Sequence, residues 1–283
     1  MGERRKTPSP LSALPSPLST MNDLALLYRH RQLIAALTAR DLKARYRGSI
    51  LGYFWSLANP LLLLGVYTLA FTVFFPSNVV RPYPLFLFAG ILPWTFFSAA
   101  ILEATNAISS NAALIKKVMF PAEALPLVVV ASHLVHFILA MPILLLASLA
   151  YAFHGDIVIR WTMFLFPFLI LLETFFVAGI SLMVASASVL FRDLRDIVTN
   201  LMQLGFFLTP IIYLIDRIDS RFLRALLRLN PMTPFVVSFQ DILFFGHLPG
   251  LADTLLMIAY AFLSVAAGLT VFDRLRDVLA EAI

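Results

Sequence analysis

The chain of 283 residues contains no cysteine. Disulfides and thiolate metal sites are therefore excluded, and the redox compartment leaves no mark in the sequence. Charge is scarce too. Asp, Glu, Lys and Arg make up 13% of the residues, where a soluble domain carries roughly 25%. Several catalytic signatures are missing. There is no G-x-x-x-x-G-K-[ST], so the chain carries no P-loop of its own. There is no G-x-S-x-G and no H-E-x-x-H. What fills the space is apolar side chain, at 60% of the residues with a mean hydropathy of +0.89. A soluble globule of this size cannot hide that much, and a disordered chain needs the opposite balance. The class that remains is an all-α integral membrane protein.

A bilayer core of about 30 Å needs about 20 helical residues. Six runs qualify as transmembrane helices: about 54–75, 82–102, 124–152, 161–190, 197–215 and 254–272. Only the fourth holds a charge, Glu173. Between the fifth and sixth lies a charged stretch, 216–228, with four Arg and two Asp. Two short apolar pieces follow, 229–240 and 242–252, split by Asp241 and punctuated by Pro231, Pro234, Gly246, Pro249 and Gly250. Neither crosses a bilayer alone, so they are expected to form a re-entrant helical hairpin on the outer side, its broken backbone surrounded by protein or water.

The formal net charge is +5, but the basic residues stand before and between apolar runs, as orientation signals do, and no nucleic-acid partner is expected. With both termini in the cytosol, nine Lys and Arg precede Phe54 and three further cytosolic segments hold two each, against six in the outer segments. That asymmetry favours cytosolic termini. Residues 1–21 are rich in Ser and Pro and read as a disordered cytosolic tail, leaving 22–283 as the membrane domain. Before the first span, Leu26, Leu33 and Leu37 share a helical face, while Arg29, Arg31, Arg40, Lys43, Arg45 and Arg47 surround it. This pattern predicts an interfacial helix on the cytosolic surface. A basic flank that only sets topology is the plainer alternative.

Few side chains offer chemistry. His133 and His136 are three apart in the third span, and packing or an interhelical hydrogen bond suits them better than a metal. Asp193 and Asp196 alternate with Arg192 and Arg195, as in a salt-bridged turn. Glu173 is the most costly residue to place in a bilayer, and intramembrane carboxylates usually face an interior or a watery path. Tyr and Trp near span ends, such as Tyr53, Trp55, Tyr83, Trp94 and Trp161, fit an aromatic belt. An aromatic-lined passage also suits a carbohydrate, because sugar rings stack on aromatic faces.

At Arg40 the sequence becomes familiar. The run R-D-L-K-A-R-Y-R-G-S-I-L-G-Y-F-W-S-L-A-N-P-L (40–61) resembles the start of the first span in ABC-2 type permeases that export polysaccharides. Three more stretches resemble that family in order. These are N-A-A-L-I-K-K-V-M-F-P-A-E-A-L-P-L (111–127), F-R-D-L-R-D-I-V-T-N-L-M-Q-L-G-F-F-L-T-P-I-I-Y (191–213) and L-N-P-M-T-P-F-V-V-S-F-Q-D-I-L (229–243).

The resemblance implies a permease that makes and breaks no covalent bond. Two copies would pair as a homodimer in a bacterial cytoplasmic (inner) membrane. Two copies of a separate cytosolic ABC ATPase would bind ATP and Mg, this chain holding no cofactor or metal. It implies a lipid-linked, O-antigen-like polysaccharide as cargo. Teichoic acid, capsule, lipo-oligosaccharide or a drug is the alternative within the family. It implies an ATPase-coupling helix within 111–121, for which Asn111, Leu114, Ile115, Lys116, Lys117, Val118, Phe120 and Pro121 are suited: apolar contacts, two charges and a terminating proline. It implies a gate in the outer hairpin and a channel lined by aromatic side chains, with Tyr67, Phe71, Phe206, Phe207 and Tyr213 as candidates, and Glu173 as the one acidic candidate. Arg40, Lys43, Arg45 and Arg47 are the candidates for contact with a lipid diphosphate. A membrane enzyme of sugar synthesis would need acidic or His clusters on cytosolic loops. A secondary transporter would need paired intramembrane charges or a repeat. Neither pattern stands out.

Overall fold

A computed structural model describes residues 31–47, 54–70, 73, 80–112, 121–155, 160–191 and 193–282. Among these residues the fold is helical, without strands. The helices are α1 (Arg31–Tyr46), α2 (Phe54–Leu69), α3 (Tyr83–Ala107), α4 (Ala124–Phe153), α5 (Phe166–Leu190), α6 (Leu194–Leu208), α7 (Arg221–Leu229), α8 (Thr233–Gln240) and α9 (Leu251–Ala282). A 3-10 turn, Trp161–Leu165, leads into α5, and a π turn, Asp241–Phe245, ends α8.

Four segments are long and apolar enough to cross a bilayer: Tyr83–Ala107, Ala124–Phe153, Trp161–Leu190 and Leu251–Arg276. They coincide with the second, third, fourth and sixth expected spans. The first and fifth expected spans hold shorter helices, α2 of 16 residues and α6 of 15. α6 stops at Leu208, short of the expected residue 215. The cause is Pro210, which lacks a backbone N–H and pushes Thr209 into an extended conformation (ψ 137°).

α3 is the central helix. Most of its residues are buried, against α2, α4, α5, α6 and α8. Pro82 and Pro84 suit its start, where the N–H groups have no intrahelical partner. Aromatic pairs tie it to its neighbours. Phe96 stacks on Phe137 of α4 at 5.3 Å, and Phe97 on Phe176 of α5 at 5.7 Å. Such pairs add about 1 kcal/mol each beyond the area they bury. The short helix α8 is sunk into this core. Phe235, Val236 and Phe239 have no exposed surface. Phe235 stacks on Phe176, and Phe239 meets the edges of Phe137 and Phe166.

α5 and α9 pack backbone to backbone. A Cβ on Gly179 would lie 2.2 Å from the carbonyl carbon of Ser264, and one on Gly268 would lie 2.4 Å from the Gly179 oxygen. Only glycine permits this approach, the small-residue contact that brings helices together where lipid removes the hydrophobic drive.

The bundle has two polar ends. One gathers α1, the C-termini of α3, α5 and α9, and the N-terminus of α4, joined by Arg45–Glu103, Ser188–Thr105 and Arg276–Glu123 contacts. The other gathers the N-terminus of α3, the C-terminus of α6 and the α7–α8 segment, joined by Tyr83–Ile212 and Gln240–Pro210 contacts. Residues 1–21, the first part of the expected interfacial helix, Phe71, and Leu114, Ile115, Lys116, Lys117, Val118 and Phe120 lie outside the described residues.

Candidate functional site

The candidate passage residues fall into one aromatic group and one isolated acid. Tyr67 of α2 stacks on Phe206 of α6 with centroids 5.6 Å apart. Phe206 meets Phe207 edge-on at 5.3 Å and Trp94 of α3 at 6.1 Å. The indole sits against Gly205, where a Cβ would come within 2.9 Å of the ring. Glycine at 205 therefore lets α6 approach α3. Phe207 points outward, and its carbonyl accepts a 2.9 Å hydrogen bond from the Tyr213 hydroxyl. Phe207 and Tyr213 line a cavity of about 560 Å³ with Tyr83, Phe86, Arg217 and Leu223. Glu173 stands apart. It is fully enclosed on α5, and neither carboxylate oxygen has a hydrogen-bond partner. In this conformation it borders no open passage.

Beneath the aromatic group, the chain breaks at 209–214, and its carbonyls are met by side chains from distant elements. Gln240 Nε2 donates to the Pro210 oxygen at 3.0 Å and lies 3.4 Å from that of Ile211. Tyr83 Oη donates to the Ile212 oxygen at 3.1 Å. Asn230 Nδ2 donates to Thr209 Oγ1 at 2.8 Å and to the Leu208 oxygen at 3.3 Å. Gly90 leaves room for the Gln240 amide, which a Cβ there would meet at 2.9 Å. Each unmet buried carbonyl would cost roughly 1–3 kcal/mol, so these three side chains make the break tolerable in the packed interior.

The other end is charged. Glu103 of α3 accepts from Arg45 Nη2 of α1 on one oxygen and from His133 Nε2 of α4 on the other, the latter at 2.8 Å. Arg45 Nε also donates to Asp41 at 2.8 Å. Burial alone would lower the Arg45 guanidinium, but the bonds to Glu103 and Asp41 hold it above its ordinary pKa. The expected interhelical hydrogen bond of His133 is therefore present, with Glu103 as its partner. Arg45 is occupied by two carboxylates. Arg40, Lys43 and Arg47 are exposed and make no ion pair among the described residues. Asn111 folds its amide back onto the Ala107 oxygen at 2.9 Å, and the Pro121 oxygen accepts from Ala124 N at 3.1 Å as α4 begins. The two described ends of segment 111–121 are thus helix termini at the charged end.

Glu103, Gln240, Asn230 and Tyr83 escape a reading by motif. Glu103 closes an apolar run one helix away from a buried-face histidine, which is a usable signal. Gln240 and Asn230 flank short apolar pieces, and nothing local shows which carbonyls they meet. Among the described residues no three His, Cys, Asp or Glu lie close enough to share a metal.

The chain is similar to known membrane transport proteins. The family described as ABC-2 type transporter matches residues 32–244. A Myxococcus xanthus protein named O-antigen export system permease protein RfbA is 38% identical over 258 residues, which is 91% of this chain and 97% of that protein. A Klebsiella pneumoniae protein of the same name is 30% identical over 249 residues, 88% of this chain and 94% of that protein.

Proposed function

This chain belongs to the ABC-2 type transporter family, and from that membership we propose that it is the permease of an ATP-driven exporter of a lipid-linked, O-antigen-like polysaccharide. It is a multi-pass membrane transport subunit. The observation that carries the cargo is the likeness, over nearly the whole chain, to permeases named for O-antigen export. On this reading it works as a homodimer in a bacterial inner membrane, with two copies of a separate ATPase that hold ATP and Mg. α2 and α6 complete six spans, both termini lie in the cytosol, and α7–α8 forms the outer re-entrant hairpin.

Each part then has a task. The exposed Arg40, Lys43 and Arg47 of α1 meet the lipid diphosphate at the cytosolic surface, where charge-assisted bonds to phosphate are strong, and Arg45 supports the helix that presents them. Segment 111–121, with Leu114, Ile115, Lys116, Lys117, Val118 and Phe120 inside it, docks into the ATPase. The glycan passes between the two copies along Tyr67, Phe71, Phe206, Phe207 and Tyr213, whose ring faces suit sugars. The hairpin gates the outer end, and the side-chain bonds to 208–212 hold it on α6 at rest. Glu173 lies behind this surface and joins the passage when α5 turns during the cycle.

Deleting the gene tests the reading. Glycan should accumulate on the cytosolic leaflet and vanish from the cell surface. Undiminished surface glycan would remove the cargo assignment. Replacing Lys116, Lys117 and Phe120 together should abolish ATPase association, and intact association with intact export would remove the docking assignment. A single Cys at Ser77 should react with an impermeant thiol reagent from outside and one at Lys117 should not; the reverse pattern would overturn the orientation.

A further inference from the structure

Among the described residues, a network of charged side chains that joins three helices lies at the two arms of the segment assigned above to ATPase docking. Glu103 sits on α3, the helix leading into that segment, and His133 on α4, the helix leading out of it. Arg45, bonded to Glu103, belongs to neither; it lies on α1, 58 residues away in sequence. Asn111 follows Glu103 by eight positions, about 12 Å at helical rise. A carboxylate is suited to this place, because it accepts along two directions at once.

α1 packs along α4, but packing is incomplete at the corner where the ion pairs lie. Beside the ion pairs, α1 and the α3–α4 corner leave a cavity of about 250 Å³, lined by Leu37, Arg40, Asp41, Asn106, Ser110 and Asn111. α1 buries Thr38 and Leu42, but at this corner it meets the bundle across space bridged by charge. The other ion pair at this end, Arg276–Glu123 at 3.6 Å, links α9 to the start of α4 and does not reach α1.

We propose that Glu103 is a positioning residue of the transport cycle: through Arg45 and His133 it locks α1 to both arms of segment 111–121, so that a push on that segment is delivered to the basic face of α1. This rests on the docking assignment above. The face it moves carries Arg40, Lys43 and Arg47. Displacement of the ATPase-contacting segment and displacement of the phosphate-contacting helix are then one motion, and loss of the joint uncouples them without touching either contact.

The absence of native Cys in this chain makes the motion measurable. Spin labels on Ala39→Cys, an exposed α1 position, in the two copies of the purified permease–ATPase complex report the separation of the α1 helices, before and after trapping with ATP and vanadate. In the parent the separation changes on trapping. In Glu103→Ala less than a third of that change should remain, with ATP hydrolysis by the complex within twofold of the parent. Glu103→Gln keeps the side chain's shape and guards against a folding artefact; it should lose the larger part of the change as well. A full change in either Glu103 variant, or no change in the parent complex, would overturn the proposal. A parent chain that binds no ATPase would instead overturn the docking assignment beneath it.

Discussion

The two ends of this bundle solve the same problem with different chemistry. At the Glu103 end three helices are joined by a carboxylate, a guanidinium and an imidazole, with a second carboxylate, Asp41, behind them. At the Gln240 end a broken helix is mended by two amides and a phenol, without an ion pair among the described residues. The difference follows exposure. Arg45 and Glu103 keep about a quarter to a third of their side-chain surface in contact with the surroundings, so their charges retain part of their solvation. Gln240 is 3% exposed, and a charge there would lose its solvation with nothing to offset it. Charge serves where the contact must hold and still be remade. Neutral donors serve where unmet carbonyls must be covered permanently.

The comparison can be broken most forcefully between the two ends, at the α5–α9 contact that holds them in register. Gly179→Leu would drive a side chain into the Ser264 backbone, and overpacking against backbone costs more than about 3 kcal/mol. The detergent-solubilised protein should lose its cooperative thermal transition. Next comes Gln240→Leu, which strands the carbonyls of Pro210 and Ile211. It should cost about 2–4 kcal/mol, measured by chemical denaturation, whereas Gln240→Glu should be worse because it carries charge into the same place. Tyr83→Phe removes one donor from Ile212 and should cost about 1 kcal/mol. If all three left stability unchanged, the break would not depend on these bonds.

The smallest effect concerns Asp241, the acid that follows Gln240 in the chain. Burial, with Asp253 and Asp216 nearby, pushes the Asp241 carboxyl up from 3.8 to about 7. It lies outside the four spans, and Asp253 in turn feels the charge of Arg228. The folded state holds this proton more tightly than the unfolded chain. Its contribution to stability is therefore complete below about pH 4 and is lost as pH rises through 7. Asp241→Asn should flatten the fall in thermal stability between pH 5 and 8, gaining about 2–4 °C at pH 8. A parent and variant with parallel pH profiles would contradict the assignment.

Much of this fold was legible because apolar length is a global property of a membrane helix. The runs around 82–102, 124–152, 161–190 and 254–272 needed only counting; the structure keeps 161–190 as it stands and carries the other three to Ala107, Phe153 and Arg276. Pro210 marked the end of α6, yet the expected span ran through it, since hydropathy counts proline as a minor loss and ignores its missing N–H. The candidate site was half legible. Phe206, Phe207 and Tyr67 stand out as aromatics in register with a family pattern, and the structure brings them together. Gln240, Asn230 and Tyr83 do not stand out, because they meet backbone carbonyls 30, 22 and 129 residues away respectively, a relation that no periodicity carries. Glu103 was passed over for the same reason. Its meaning lies in Arg45 and His133, on two other helices.

The central claim is that this polypeptide moves its cargo only when a separate ATPase drives it. The direct measurement is transfer of lipid-linked glycan across proteoliposomes, read by access of an impermeant glycosidase, with this chain alone and with its ATPase. The account predicts no transfer by the chain alone, and transfer that requires ATP once the ATPase is added. Sustained transfer by the chain alone would contradict it.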